Sequence, residues 1–255
     1  MHMHKLSGQI ALVTGAGVGI GRATAIALAR DGADVALHCR ASREGATSAA
    51  REIEAMGRRA LVVSVDLTNS VQVTQCVAEV EQKFNRIDIL VNNAGGILGR
   101  HSLVEMPEAF FHDVINVNVL STFLCCQAVA RGMIARKRGA IINMTSLAAH
   151  NGGGPGASVY AASKAAIQTL TKAWARELAP HGIRMNAVSP GLIGGTPFHR
   201  DFTAPDAFAA AAKTIPLGRA GEPEDVAKVI TFLAGDDASF LVGETIEING
   251  GMFTR

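Results

Sequence analysis

Short, unbroken apolar runs alternate with helix-patterned segments along the whole chain, and no other feature narrows the possible folds as much. The strand-like runs are residues 10–14, 35–38, 60–65, 87–91, 140–144, 183–188 and 244–248. Their apolar residues are consecutive rather than every second one, the pattern of strands buried on both faces. Between them, residues 20–30, 43–56, 71–84, 108–130, 159–178 and 223–233 carry helical spacing. Strands alternating with helices through right-handed crossovers predict a seven-stranded, mostly parallel sheet covered on both sides: an α/β, doubly wound domain. No Pro/Gly/Ser-rich linker and no internal repeat divides the 255 residues, so one domain over 1–255 is expected. Residues 191–216 are too long and too mixed for a simple connector and are read as a lid.

Composition removes several function classes. Hydrophobic residues make up 48% and charged ones 18%, which excludes a disordered or collagen-like chain. Twenty-four basic against 22 acidic residues leave +2, no electrostatic reason to expect nucleic acid or a membrane surface as partner. Cys39, Cys76, Cys125 and Cys126 lack metal spacing, and His101, His150 and His199 form no H-x-x-x-H, so no metal site is expected. The neighbouring Cys125 and Cys126 read as a buried helical stripe, in a reduced, cytoplasmic protein. Residues 1–5 do not resemble a secretion signal, and no 18 apolar residues run together.

The first apolar run leads into Thr14-Gly15-Ala16-Gly17-Val18-Gly19-Ile20-Gly21-Arg22, and helical spacing begins at once. Glycine lets the chain turn tightly and lets backbone amides approach a pyrophosphate. The helix start adds N–H donors and partial positive charge. A glycine string in that strand–turn–helix setting points to a bound dinucleotide. Its type is read at the end of the second strand, where an NAD site places a carboxylate for the ribose 2′-hydroxyl. Here the residues are His38-Cys39-Arg40-Ala41-Ser42-Arg43, without an acid. Arg40 suits a 2′-phosphate, so NADP is expected. In the alternative, NAD is used and Arg40 and Arg43 only face solvent. Asp66, ending the third strand, is either an acceptor for the adenine amino group or a cap for the next helix.

The single tyrosine, Tyr160, is followed four residues later by Lys164, a spacing that puts both on one helix face. A phenol near its reference pKa of about 10 is a poor acid or base at neutral pH. A neighbouring ammonium and the positive ring of an oxidised nicotinamide are expected to pull that pKa down. Ser146, just past the 140–144 strand, is placed to hold a substrate oxygen beside the phenol.

With these parts in place, the chain resembles the short-chain dehydrogenase/reductases over essentially its whole length. Thr14-Gly15-x-x-x-Gly19-x-Gly21 is similar to that family's cofactor turn, Asn92-Asn93-Ala94-Gly95 to its motif after the fourth strand, and Tyr160-x-x-x-Lys164 with Ser146 to its catalytic core. The resemblance implies a Rossmann-type fold, Tyr160 as acid/base and Ser146 orienting the carbonyl. It implies Lys164 on the nicotinamide ribose and Asn118 (in Asn116-Val117-Asn118-Val119) holding a relay water. It also implies cofactor contacts at Val18, Ile20, Leu67, Asn93, Ala94, Gly95, Pro190 and Gly191 in addition to the glycines, with Asn186 in the same segment. Ile193 and Thr196 would meet the nicotinamide carboxamide. Two departures stand out: Val18 replaces the basic residue of many NADP-dependent members, and Gly194-Gly195 adds one residue before Thr196.

Phe198, Phe202 and Phe208, on an alanine-rich segment, suit an apolar lid over a ketone or acyl group, or else a subunit contact. The whole chain looks like the 3-oxoacyl-acyl carrier protein reductases. Arg136-Lys137-Arg138 is either a dock for the acidic carrier or a solvated helix end, and His181 stands where a firmer cation would help. Val119, Phe123, Cys126 and Val129 on one long helix and Ile167, Leu170 and Trp174 on another leave apolar surface for subunit pairing. Family members form tetramers there, so a homotetramer is expected. The leading expectation is an NADPH-dependent reductase of ketones or 3-oxoacyl thioesters. The alternatives are an NAD-dependent sugar or polyol dehydrogenase and a non-catalytic nucleotide-binding scaffold.

Overall fold

The computed structural model describes residues 5–254, with the side chains of Phe198 and His199 outside that description. The expectations placed on those two side chains, and on residues 1–4, therefore fall outside it. The strands are β1 (Ile10–Val13), β2 (Asp34–Cys39), β3 (Ala60–Ser64), β4 (Ile89–Asn92), β5 (Gly139–Met144), β6 (Ile183–Pro190) and β7 (Thr245–Ile248). They form one parallel sheet in the order β3-β2-β1-β4-β5-β6-β7. The principal helices are α1 (Gly19–Arg30), α2 (Arg43–Ala55), α3 (Ser70–Phe84), α4 (Glu108–Ile115) and α5 (Ser121–Arg136). After them come α6 (Ala148–Asn151), α7 (Ser158–Leu178), α8 (Pro197–Phe202), α9 (Pro205–Lys213) and α10 (Pro223–Ala234).

Strand β1 shows why its residues are all apolar. Ala11 and Val13 enter a core shared with α1, α2 and α10, while Ile10 and Leu12 enter a second core with α3, α5 and α7. A strand with a hydrophobic layer on each side has no polar face, so alternation disappears. The sheet order reverses direction at β1, between β2 and β4. In such sheets a crevice opens there, outside the carboxyl ends of the strands. The candidate residues follow strand ends: Gly15 after β1, Arg40 after β2, Asp66 after β3, Asn93 after β4, Ser146 after β5 and Gly191 after β6.

Three segments differ from the sequence expectation. The long helix runs further, from Glu108 to Arg136, and is interrupted by a π-helical turn over Asn116–Leu120. Such a turn inserts one residue without ending the hydrophobic pattern, which is why periodicity does not reveal it. Residues 191–216 contain α8 and α9, both starting at proline, the residue best suited to a first helical position. The short α6 is a single turn after Ser146.

Among the described residues, the Glu108–Arg136 run is long and apolar enough to cross a bilayer by length and composition alone. Its apolar residues have other uses here. Cys125, Cys126, Val129 and Met133 cover the sheet, and Phe123 lies 6.0 Å from Trp174 of α7. Phe111 and Phe123 remain open to solvent on this face, as do Leu103 and Val104 before it.

Candidate active site

The glycine turn owes its shape to close approach. A Cβ on Gly17 would fall 2.2 Å from Ser42 Oγ, and one on Gly21 would fall 2.2 Å from the Gly15 carbonyl oxygen. Gly15 and Gly19 have φ of +65° and +52°, left-handed values that favour glycine. No side chain caps α1: Val18 at its N-cap is extended and makes no capping bond. The first-turn amides are thus left for a ligand at the positive end of the helix dipole. Gly15, Val18, Gly19, Ile20 and Gly21 line a cleft of about 1070 Å³. Gly17 does not line it and instead lets β2's following loop pack against the turn.

Thr14, the first residue of the turn motif, and His38, which sequence reasoning missed, hold this turn. Thr14 Oγ1 accepts from the amides of Asn93 (3.0 Å) and Ala94 (2.9 Å) and donates to the Val91 carbonyl. Asn93 Nδ2 returns bonds to the carbonyls of Thr14 and Gly15. The β1 and β4 loops are thereby stitched together, with Asn93, Ala94 and Gly95 on the cleft wall. His38, 2% exposed at the end of β2, accepts the Gly15 amide at 3.3 Å on Nδ1. The only sequence sign of it is one polar residue inside an apolar strand.

At the adenosine end, Arg40 Nη2 lies 3.6 Å from Asp66 Oδ2 across the cleft mouth, with Leu67 beside them. Asp66 Oδ1 accepts from the amide and hydroxyl of Thr68, and those bonds hold its carboxyl below the usual range. One of its oxygens is therefore occupied by local capping and the other faces a cation. Among the described residues no carboxylate follows β2 directly.

At the far end, Ser146, Tyr160 and Lys164 share the cleft wall. The Ser146 side chain lies near enough to the Tyr160 phenol to lower its pKa, while its Oγ accepts the Ala148 amide at 3.2 Å. Lys164 is buried, donates to the Met144 carbonyl at 3.0 Å, and keeps its ammonium 5.8 Å from the centre of the Tyr160 ring. Burial pushes the Tyr160 phenol above its ordinary value, and Ser146 only partly opposes this. The expected lowering by Lys164 is not among the influences on the phenol; the ammonium bonds the Met144 carbonyl instead. Burial also draws Lys164 itself down to about 8. Asn118 sits on the π-helical turn, fully buried behind the wall. Its Nδ2 donates to the Gly96 and Val114 carbonyls, and its Oδ1 accepts the Gly96 amide at 3.1 Å. A Cβ on Gly95 would meet Asn118 Oδ1 at 2.5 Å and Lys164 Nζ at 3.3 Å, so these two groups flank one backbone strip.

Pro190, Gly191, Ile193 and Thr196 also line the cleft. The Thr196 methyl lies 3.5 Å from the Cβ position of Gly19, so the segment crosses above the phosphate turn. Leu192, Phe202, Thr203 and Ala211 continue the cover, whereas Phe208 packs near Gly194. Asn186 lies away from the cleft in β6, bonded to Leu241 and Glu244. Arg136 and Arg138 are at the opposite end of β5, engaged by the Ile87 carbonyl and by Asp236. Their position makes them a helix end rather than part of the cleft rim. All four cysteines are buried free thiols; Cys76 and Cys126 are pushed up to about 12 by burial. The described residues contain no group of three or more potential metal ligands.

The family model described as enoyl-(acyl carrier protein) reductase matches residues 15–253. The 3-oxoacyl-(acyl-carrier-protein) reductase of Thermotoga maritima is 42% identical over 248 residues, covering 97% of this chain and 99% of its own. The like-named enzyme of Synechocystis is 41% identical, covering 98% and 99%. A 7α-hydroxysteroid dehydrogenase solved with NADH and 7-oxo glycochenodeoxycholic acid superposes with TM-score 0.92 at 32% identity, covering 98% of this chain and 96% of that one. An NAD+-bound xylitol dehydrogenase gives 0.91 at 35%, covering 97% and 100%. This chain therefore belongs to the short-chain dehydrogenase/reductase family and is an NAD(P)-dependent oxidoreductase acting on CH–OH and carbonyl groups.

Proposed function

We propose that the protein is an NADP-dependent reductase of 3-oxoacyl thioesters or related ketones. The observation that carries this is the Ser146–Tyr160 hydroxyl pair, beside a buried lysine, in the same cleft as an uncapped glycine turn. When bound, the nicotinamide supplies the hydride to the substrate carbon. The chain's own residues do the rest. The amides of residues 19–21 receive the pyrophosphate, and Asn93, Ala94, Gly95, Pro190 and Gly191 form the walls around the nucleotide. Ile193 and Thr196 contact the carboxamide, and Lys164 the nicotinamide ribose. Two hydroxyls on one cleft wall suit a carbonyl oxygen, whose charge grows as the carbon is reduced, better than a carbon–carbon double bond. Ser146 donates to that oxygen and Tyr160 delivers the proton to it. Asn118 Oδ1 keeps one acceptor position, which we assign to a water next to Lys164. Residues 191–216 act as an apolar lid that excludes water.

The same reading gives Arg40 the 2′-phosphate. Its contact with Asp66 is a solvent-exposed pair of the kind worth about 0–1 kcal/mol, so exchanging it for a phosphate costs little. Asp66 and Leu67 are assigned to the adenine. NAD use remains the second reading, favoured by the NAD+ and NADH held by the two solved neighbours. Rates on a 3-oxoacyl thioester, the matching enoyl thioester and a polyol, each with both cofactors, test the assignment. The oxo substrate with NADPH is expected to be fastest, and a polyol–NAD preference would overturn it. Arg40→Asp is expected to lower kcat/KM for NADPH by about tenfold or more while sparing NADH, since an anion replaces a phosphate partner.

The relatives' names make an acyl carrier protein the proposed carrier of the substrate. The exposed Phe111 and Phe123 on the α4–α5 face are assigned to a homotetramer contact. Four free, buried thiols suit the reducing cytoplasm.

A further inference from the structure

His38 lies where three segments meet. Its backbone carbonyl accepts the Ala16 amide at 2.8 Å, and its Nδ1 accepts the Gly15 amide at 3.3 Å. One residue thus takes two consecutive amides of the glycine turn. On the other side Nε2 is 3.1 Å from the Val65 carbonyl oxygen, just past β3. An amide can only donate and a carbonyl can only accept, so Nδ1 must be bare and Nε2 must carry the proton. The ring is neutral, in a single tautomer, and it ties the turn to the strand that leads into Asp66. It also lines the cleft floor.

From this geometry we infer that His38 is a positioning residue for the dinucleotide: its neutral ring holds the Gly15–Gly17 stretch in binding shape, and protonating the ring releases that stretch. A proton on Nδ1 would set two N–H groups against each other at 3.3 Å and leave a charge in a buried site. Burial, the larger influence, pulls the ring below its ordinary range, whereas the Val65 bond and the Asp66 carboxylate pull it up. Of the charged groups around it, Asp66 faces it from the end of β3 and Arg40 stands two residues along on its own strand. The glycine turn itself brings none. The turn is therefore locked at neutral pH, and the lock is lost as pH falls below the ordinary imidazole range.

The inference rests on the assignment of the glycine turn to the dinucleotide, and the test separates the two. Calorimetric titration with NADP+ and with NAD+ is run from pH 5 to 8 on the wild type, His38→Asn and His38→Leu. Asparagine offers one acceptor and one donor without titrating; leucine offers neither. Wild-type affinity should fall about tenfold more than that of His38→Asn between pH 7.5 and 5, the equivalent of one lost hydrogen bond. His38→Leu should bind about tenfold more weakly than the wild type at pH 7.5, with the gap closing towards pH 5 as the wild-type ring is protonated. Equal acid losses in the wild type and His38→Asn, or wild-type affinity in His38→Leu at pH 7.5, would overturn the role. If the wild type binds neither nucleotide, the dinucleotide assignment fails by itself. Hydrogen exchange of the 12–22 peptide then still decides whether His38 fixes the turn. Protection should drop in His38→Leu, and at pH 5 in the wild type, but not in His38→Asn at the same pH. Protection that is identical in all three proteins sinks the proposal.

Discussion

Tyr160→Phe is expected to leave dinucleotide binding intact and to cut carbonyl reduction by about 10²- to 10⁴-fold. The ring keeps its place in the cleft wall, which Ala157 also lines, so packing changes little. What disappears is the hydroxyl near Ser146. Without it the oxygen of a reduced carbonyl must take its proton from a water molecule. A loss of 10³ corresponds to about 4 kcal/mol of barrier, far more than a packing change could supply. A variant that reduces ketones within a few-fold of the wild-type rate would show that the proton comes from elsewhere.

The pH profile gives an independent check on the same residues. Burial keeps Tyr160 protonated through the neutral range, the state a proton donor needs. Lys164 loses its proton at about 8, because its ammonium is buried with the Met144 carbonyl as its partner. Reduction, followed as kcat/KM for the dinucleotide, should therefore fall as pH rises past about 8. Alcohol oxidation needs the phenolate, whose pKa burial raises, so its rise should begin at higher pH than the Lys164 limb. The residual activity of Tyr160→Phe should keep the limb near 8, since Lys164 is untouched. A limb that vanished with the phenol would belong to Tyr160 instead.

Much of this was legible in the chain because it follows from local pattern. Consecutive apolar residues such as Ile10-Ala11-Leu12-Val13 have to be covered on both sides, and that requirement alone gives the layered α/β fold. The glycine turn and the Tyr160–Lys164 spacing are likewise local. What was not legible depends on distant contacts. His38 reads as one polar residue in a strand until β3 places the Val65 carbonyl against it. Asn118 was named from the resemblance, but the π-helical turn that positions it leaves no mark in hydrophobic spacing. The sign of the Tyr160 shift turned on burial, which is not written in a four-residue spacing. The helices α8 and α9 were the exception, with Pro197 and Pro205 as available start signals outweighed by the length of the segment.

Gly21→Ala is expected to abolish tight dinucleotide binding, weakening it by about a hundredfold, although alanine is the better helix former by roughly 1 kcal/mol. The added methyl would sit 2.2 Å from the Gly15 carbonyl oxygen and 2.4 Å from Asn93 Nδ2. That is the line of the Asn93–Gly15 hydrogen bond, which joins the β4 loop to the turn. Neither obstacle is a flexible side-chain end: one is backbone, and the other is fixed by its bond to the Thr14 carbonyl. The helix start must move away from β1, and the amides of residues 19–21 move with it. Overpacking of this kind costs about 1–3 kcal/mol, which exceeds the propensity gain, so Tm should fall by a few degrees. Affinity should suffer more than stability, because several amides must reach one pyrophosphate together and a displacement of an ångström misaligns all of them. Calorimetry with NADP+ and a thermal melt on the same sample separate the two effects. Wild-type affinity in the variant would mean that the turn is not the phosphate site, and the cofactor would then have to be placed elsewhere in the cleft.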